Sequence, residues 1–226
     1  MNSPGPSPTR RFAIPNAKSS FASLNREEIE THIAIARYGS FQLTDAIRPS
    51  YDLRVLPEEG YARRLWRGPS GRAAIPVLAA MVSREKLLDL FFDLISSLSC
   101  MVDVVLESSH YRQKGHTDYS REEIDLPILM SSLYDFEDIL LNDGYFGIAV
   151  VDPLKRVEIR FDEHKTLAIF GRDLDSFEKI FYSYHVPRCD KIRLISEEEH
   201  LHASASAFLT RLEELRFRLG IDPDFC

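Results

Sequence analysis

The residues best equipped for chemistry in this chain of 226 are its seven histidines, because imidazole ligates transition metals and exchanges protons near neutral pH. His110 and His116 share a polar stretch with Glu107 and Asp118, and His200 and His202 stand close together near the C-terminus. A metal centre needs three or four such side chains aimed at one point. Ser196 and Glu199 have the spacing of a capping box, and Glu197 and Glu198 fall where a helix dipole favours acid, so a helix is predicted from Ser196 to Leu219. Residues two apart on a helix point about 200° from each other. From such an element His200 and His202 cannot hold one ion. No HExxH or paired CxxC is present, and the histidines read as solvated polar residues with no metal and no cofactor.

Nucleophilic chemistry fares no better. Cys100, Cys189 and Cys226 are an odd set without metal or redox spacing, which points to a reducing compartment, taken as the cytoplasm. Cys189 lies between Arg188 and Asp190, where the guanidinium would lower its pKa, yet the segment reads as a plain connection from helix to strand. No serine occupies a GxSxG elbow. Asp162, Glu163, His164 and Lys165 sit between two alternating runs and read as a solvated hairpin turn. Gly144 and Gly147 follow a helix and precede a strand, the reverse of a phosphate-binding loop. No catalytic residue is assigned. A small hydrolase-like or metal-dependent enzyme is the alternative, and it requires the loop of residues 110–118 to converge with His164, Cys189 or His200.

Two surfaces remain as binding candidates. In residues 63–72, Arg63, Arg64, Arg67 and Arg72 surround Trp66, a composition that grips anions or RNA. Strand alternation splits them, with Arg63 and Arg67 on one face and Arg64 and Trp66 on the other. The formal net charge of −7 also makes nucleic acid an unfavoured partner. The last helix carries a heptad-like seam of Leu201, Ala205, Phe208, Leu212, Leu215 and Leu219. Phe217 falls on its opposite side, with Ala203, Ala207 and Thr210 near that outer face. An outward phenylalanine beside small residues suggests a contact surface for another protein or a second copy. The function expected on this basis is a non-enzymatic interaction or regulatory module, with Phe217, Thr210, Ala207, Ala203, Arg64, Trp66 and Arg67 as its contact residues. No apolar run approaches the roughly 18 residues of a membrane span, so no membrane partner is expected.

The elements that would position these residues point to an α+β fold. Residues 1–24 read as a flexible Pro/Ser-rich tail, residues 25–124 as one unit and 125–226 as a second, packed as one body. Each unit has three strands, a helix, a strand and a helix, which suggests an internal pseudo-repeat; an offset of 89 residues aligns Ala79 with Ala168 and Cys100 with Cys189. Predicted strands cover residues 52–56, 61–67, 74–80, 101–106 and 191–195, with a polar loop over 107–119. Helices are expected after Asn25, after Ser83, from Asp125 to a left-handed cap at Gly144, and after Asp173 or Asp175. The clearest signal is the three-stranded meander of residues 144–171, where Val157, Ile159 and Phe161 alternate with charged residues.

Overall fold

The computed structural model describes residues 19–67, 74–111 and 116–221. Alternation builds its sheet. In β9 (Val157–Phe161) the apolar residues are buried and the charged ones half-exposed, as the two-residue period dictates. β9 is flanked by β8 (Phe146–Asp152) and β10 (Thr166–Phe170), completing the predicted meander. Around it stand β4 (Gly60–Arg67), β5 (Ala74–Met81), β6 (Met101–Ser108) and β7 (Thr117–Asp125). The seven strands run β4-β5-β10-β9-β8-β6-β7, every pair antiparallel. With six helices among the described residues, this is the α+β class expected.

One face of the sheet carries the helices. α2 (Arg84–Ser96) buries Leu87, Leu90, Phe91, Leu94 and Ile95, and α3 (Leu126–Tyr134), α4 (Glu137–Asn142) and α5 (Asp175–Ser183) complete that layer with α6 (Ser206–Arg218). Leu94 has no exposed surface. Leu94→Ala is expected to cost about 3 kcal/mol by lost transfer and a residual cavity, read as a lower midpoint in urea denaturation. The opposite face is covered at one end by Phe41, Leu43, Ile47, Ile192 and Ile195, packed on Ala62 and Met81. There lie α1 (Arg26–Ala34), the short pair β1 (Arg37–Tyr38) and β2 (Phe41–Gln42), and a separate ribbon of β3 (Ile47–Pro49) with β11 (His200–His202). Phe21, within the expected tail, is buried against Ile33 and Leu201.

Several expectations are corrected. The pseudo-repeat is not confirmed. β5 and β10 do pair about Ala79 and Ala168, but the chain re-enters the sheet after α2 as β6 and does not after α5. Residues 191–195 form no strand; Arg188 makes a single bridge to Tyr61, and a 3-10 turn follows at Ile195–Glu197. Strands from both sides of residue 125 share the one sheet. Residues 52–56 are irregular. The expected polar loop is shortened by β7, an edge strand that tolerates Asp118, Glu122 and Glu123 because its outer side faces water; a register shift opposite Val102 and Val104 accommodates Glu123. The helix from Asp125 breaks into α3 and α4 at Asp135–Phe136. Gly144 is no left-handed cap, since only Gly39 and Gly220 among the described glycines have positive φ. The expected turn at 68–71, Arg72 and Cys226 lie outside the described residues.

The correction with most consequence concerns the C-terminal element. Ser196 does not start it. α6 begins at Ser206 with Ala205 at its N-cap, and His200, Leu201 and His202 form a strand whose leucine is buried and whose histidines are half-buried. In a strand, residues two apart point to the same side. His200 and His202 therefore point to the same side and can address one ion.

Candidate metal centre

Two elements bring three histidines together at one end of the sheet, where Ser108 pairs with Phe146, Ile148 with Phe161, and Thr166 with Met81. His164 comes from the β9–β10 turn. Asp162 organises that turn: its Oδ1 accepts the amides of His164 at 3.0 Å and Thr166 at 2.9 Å, and its Oδ2 accepts the Thr166 hydroxyl at 2.7 Å. Lys165 takes the positive φ of 60° that closes the loop. Its ammonium is buried and donates to the Phe146 carbonyl at 2.8 Å, and burial pulls its pKa down to about 8.

His200 and His202 come from β11, which is held against the sheet end by backbone bonds. The Ala203 amide donates to the Ala46 carbonyl at 2.7 Å, and the Gly144 amide to the Ala203 carbonyl at 2.8 Å. Gly144 is small for a steric reason: a Cβ there would lie 2.3 Å from the Ala46 oxygen and 2.8 Å from the Ala203 oxygen. This close approach puts the Gly144 carbonyl 2.6 Å from His202 Nδ1.

The three rings stand in a near-threefold arrangement. Every pair of centroids is 4.8 Å apart, at interplanar angles of 79°, 65° and 61°. One nitrogen of each lies within 4.8 Å of the others. His200 Nδ1 is 2.6 Å from the Glu198 carbonyl, as His202 Nδ1 is from that of Gly144. A carbonyl only accepts, so both Nδ1 atoms carry hydrogen and donate. In neutral rings both Nε2 atoms then bear lone pairs, and these face each other at 3.0 Å. Two lone pairs at that distance repel unless a proton or a cation lies between them. Burial lowers the pKa of His200, and burial together with the neighbouring His164 charge brings that of His202 to about 4. Burial thus works against a proton at that point, and a cation is the fitting occupant. Two nitrogens bound tetrahedrally to zinc at roughly 2.0–2.1 Å stand about 3.3 Å apart, close to the spacing found.

The surroundings match those of metal-ligating histidines, whose second nitrogen is normally tied to a carbonyl or carboxylate. His164 Nδ1 is buried, makes no hydrogen bond, and lies 3.4 Å from Asp162 Oδ2. Burial works to lower the His164 pKa, but the Asp162 charge outweighs it and the net shift is upward. Burial works to raise the Asp162 pKa, but the neighbouring His164 charge and the bonds from the Thr166 amide and hydroxyl outweigh it and hold the carboxyl below the ordinary range. Metal must displace a proton from His164, so zinc affinity is expected to fall as pH is lowered from about 8 to 5, measurable by competition with a chromophoric chelator.

The same shifts fix the acid stability of the metal-free chain. His202 binds a proton at about 4 when folded and at 6.5 when unfolded, so between those values the unfolded state holds more protons and stability falls as pH falls. His200 acts in the same direction. His164 opposes it, adding stability below 6.5 that is lost as pH rises through its elevated folded pKa. The His202 contribution is on the order of 2–3 kcal/mol by pH 4. His202→Gln is expected to flatten the curve of denaturation midpoint against pH between 6.5 and 4.

Other expected groups lie nearby. His110 Nε2 is 2.7 Å from the fully buried Asp143 carboxylate, with Tyr145 between its ring and that of His202. Ser109 Oγ donates to Glu163 Oε2 at 2.9 Å and lies 3.2 Å from His116 Nδ1. Glu107, His116 and Asp118 form a second, more exposed group, whose Glu107 is already answered by Arg160 at 3.2 Å. His116 is thus linked through Ser109 to Glu163 of the β9–β10 turn, and His110 lies across Tyr145 from His202. Among the described residues no cysteine takes part: Cys189 packs beside β4 and Cys100 is exposed.

The surface candidates are dispersed. Phe217 is 85% exposed, and Ala207 and Thr210 are exposed on the same helix. Ala203 does not join them, because it precedes α6 and is buried by its bonds to Ala46 and Gly144. Arg63 pairs with Asp175 at 2.9 Å, and Arg64 with Glu197 and the Ile192 carbonyl. Arg67 and Trp66 are exposed, the indole meeting Phe170 edge-on. Among the described residues no helix is long and apolar enough to cross a membrane. Comparison of the chain with protein-family models, curated proteins and solved structures returned no match.

Proposed function

We propose that this protein binds one divalent transition-metal ion, zinc in the first instance, through His164, His200 and His202. The observation that carries the reading is the 3.0 Å approach of two Nε2 atoms whose Nδ1 partners are already committed to carbonyls. Three neutral imidazoles suit zinc, nickel or copper better than magnesium or calcium, which prefer oxygen. Purified protein titrated with zinc against a chromophoric chelator should bind one equivalent per chain. Failure to bind at neutral pH removes the reading. The unpaired Cys100 and Cys189 fit a reducing compartment, and we assign the protein to the cytoplasm on that ground.

A second reading keeps the interaction surface, on the strength of an 85% exposed Phe217 beside exposed Ala207 and Thr210. A protein partner or second copy seated on that helix face would cover it. Phe217→Asp is expected to abolish self-association in sedimentation velocity without lowering the melting temperature. An unchanged sedimentation coefficient in a chain that does self-associate would remove Phe217 from that interface.

A further inference from the structure

β11 presents two sides. His200 and His202 face the proposed ion, and Leu201 between them points the other way, where it is buried against Phe21 and Ile33 with Leu24 and Ile29 packed around it. That small cluster is separate from the main core, and it seats α1. α1 has nine residues and buries His32 and Ile33 alone; a helix so short is marginal in water by itself, so it persists only while docked. Its ties run to the ribbon of β3 and β11. His32 Nε2 lies 2.9 Å from the Pro49 carbonyl, and the Arg48 guanidinium donates to the Ile33 carbonyl at 2.7 Å. The Ser20 amide donates to Glu199 Oε2 at 2.7 Å, one residue before His200. Within the ribbon Pro49 pairs with His200 and Arg48 with Leu201.

Resting on the metal-binding reading above, we infer that the ion works as a switch: it holds the N-terminal unit of residues 19–35 in place, and the protein senses metal by docking or releasing that unit. The ribbon is a two-stranded piece outside the seven-stranded sheet. His164 belongs to the β9–β10 turn of the sheet, and His200 and His202 belong to the ribbon, so an ion shared by all three ties ribbon to sheet. Without the ion, the Nε2 lone pairs of His200 and His202 oppose each other at 3.0 Å and loosen β11. Leu201 carries the effect through the strand, because its backbone joins the two ligands and its side chain packs on Phe21 and Ile33. A unit with so few buried apolar residues is the kind that opens before the rest of a fold. Its release uncovers Phe21, Leu24, Ile29, Ile33 and Leu201, an apolar surface presented only without metal. An ion that binds the closed form alone lowers the opening constant by about 100-fold at a hundred times its dissociation constant.

The test is amide hydrogen exchange, read by mass spectrometry on the full chain without metal and with zinc at a hundred times its dissociation constant. In the metal-free chain, peptides over residues 19–35 and 198–205 should exchange through one common opening, with less protection than the peptide of α2. Zinc should slow both by about 100-fold. Leu201→Ala keeps the three ligands and removes the packing between strand and helix, so zinc should still slow residues 198–205 while residues 19–35 no longer respond. Zinc that slows residues 198–205 but not 19–35 in the parent, or that slows 19–35 undiminished in Leu201→Ala, overturns the switch and leaves the metal centre standing. Protection of residues 19–35 equal to that of α2 in the metal-free chain overturns it as well, since only global unfolding would then release the unit. Absence of zinc binding in the chelator titration overturns both.

Discussion

Alanine in place of His202 is expected to abolish stoichiometric zinc binding, a loss well beyond the roughly 10–100-fold that follows removal of an outer-shell partner. The ring supplies one of three ligands, and its orientation is fixed by the 2.6 Å bond from Nδ1 to the Gly144 carbonyl. His200→Ala should do the same, because the two nitrogens face one point. Both variants should fold. Removing either ring relieves a lone-pair clash in the metal-free chain, so their thermal stability without zinc should equal or exceed that of the parent. Zinc at a hundred times its dissociation constant should stabilise the parent by about 2.7 kcal/mol and the variants not at all. Differential scanning calorimetry with and without zinc reads both effects.

The second large effect belongs to Gly144→Ala. The added Cβ would sit 2.3 Å from the Ala46 oxygen, and the backbone cannot retreat without breaking the bonds that tie Gly144 to Ala203 and Ala203 to Ala46. A loss of about 3–4 kcal/mol is expected, at the upper end for one substitution. At this chain length that corresponds to a melting temperature lower by roughly 10 °C. Zinc affinity should fall as well, because any shift of residue 144 moves the carbonyl that orients His202. A variant as stable as the parent, with unchanged affinity, would show that β11 does not depend on this contact.

The sheet was legible because its strands alternate cleanly, and Val157, Ile159 and Phe161 announce a buried face without reference to the rest of the chain. β7 was hidden by its charge, since an edge strand exposes most of what it carries and Thr-Asp-Tyr-Ser-Arg-Glu-Glu resembles a loop. The metal centre was obscured by one wrong element. Ser196, Glu197, Glu198 and Glu199 form a persuasive helix start, and Leu201 continues the spacing of the leucines in α6, so the seam extends one turn too far. The opposing signal was His-Leu-His itself, a polar–apolar–polar alternation like that of a strand, too short to outweigh a capping box. His164 does lie in the turn that the alternation predicts, but that turn is not solvated: Asp162, Glu163 and His164 are half-buried and Lys165 is buried. No local pattern states that its turn faces β11, because Gly144 and Ala46 bring them together across long stretches of sequence. For Phe217 the helical period was enough, since its outward side follows from the buried Leu212, Leu215 and Leu219.

The central claim, that His164, His200 and His202 jointly hold one ion, is tested most directly by X-ray absorption at the zinc edge on protein loaded with one equivalent. A first shell of three imidazole nitrogens and one further light atom at about 2.0–2.1 Å is the expected result. An all-oxygen shell, or a shell unchanged by His202→Ala, would contradict it.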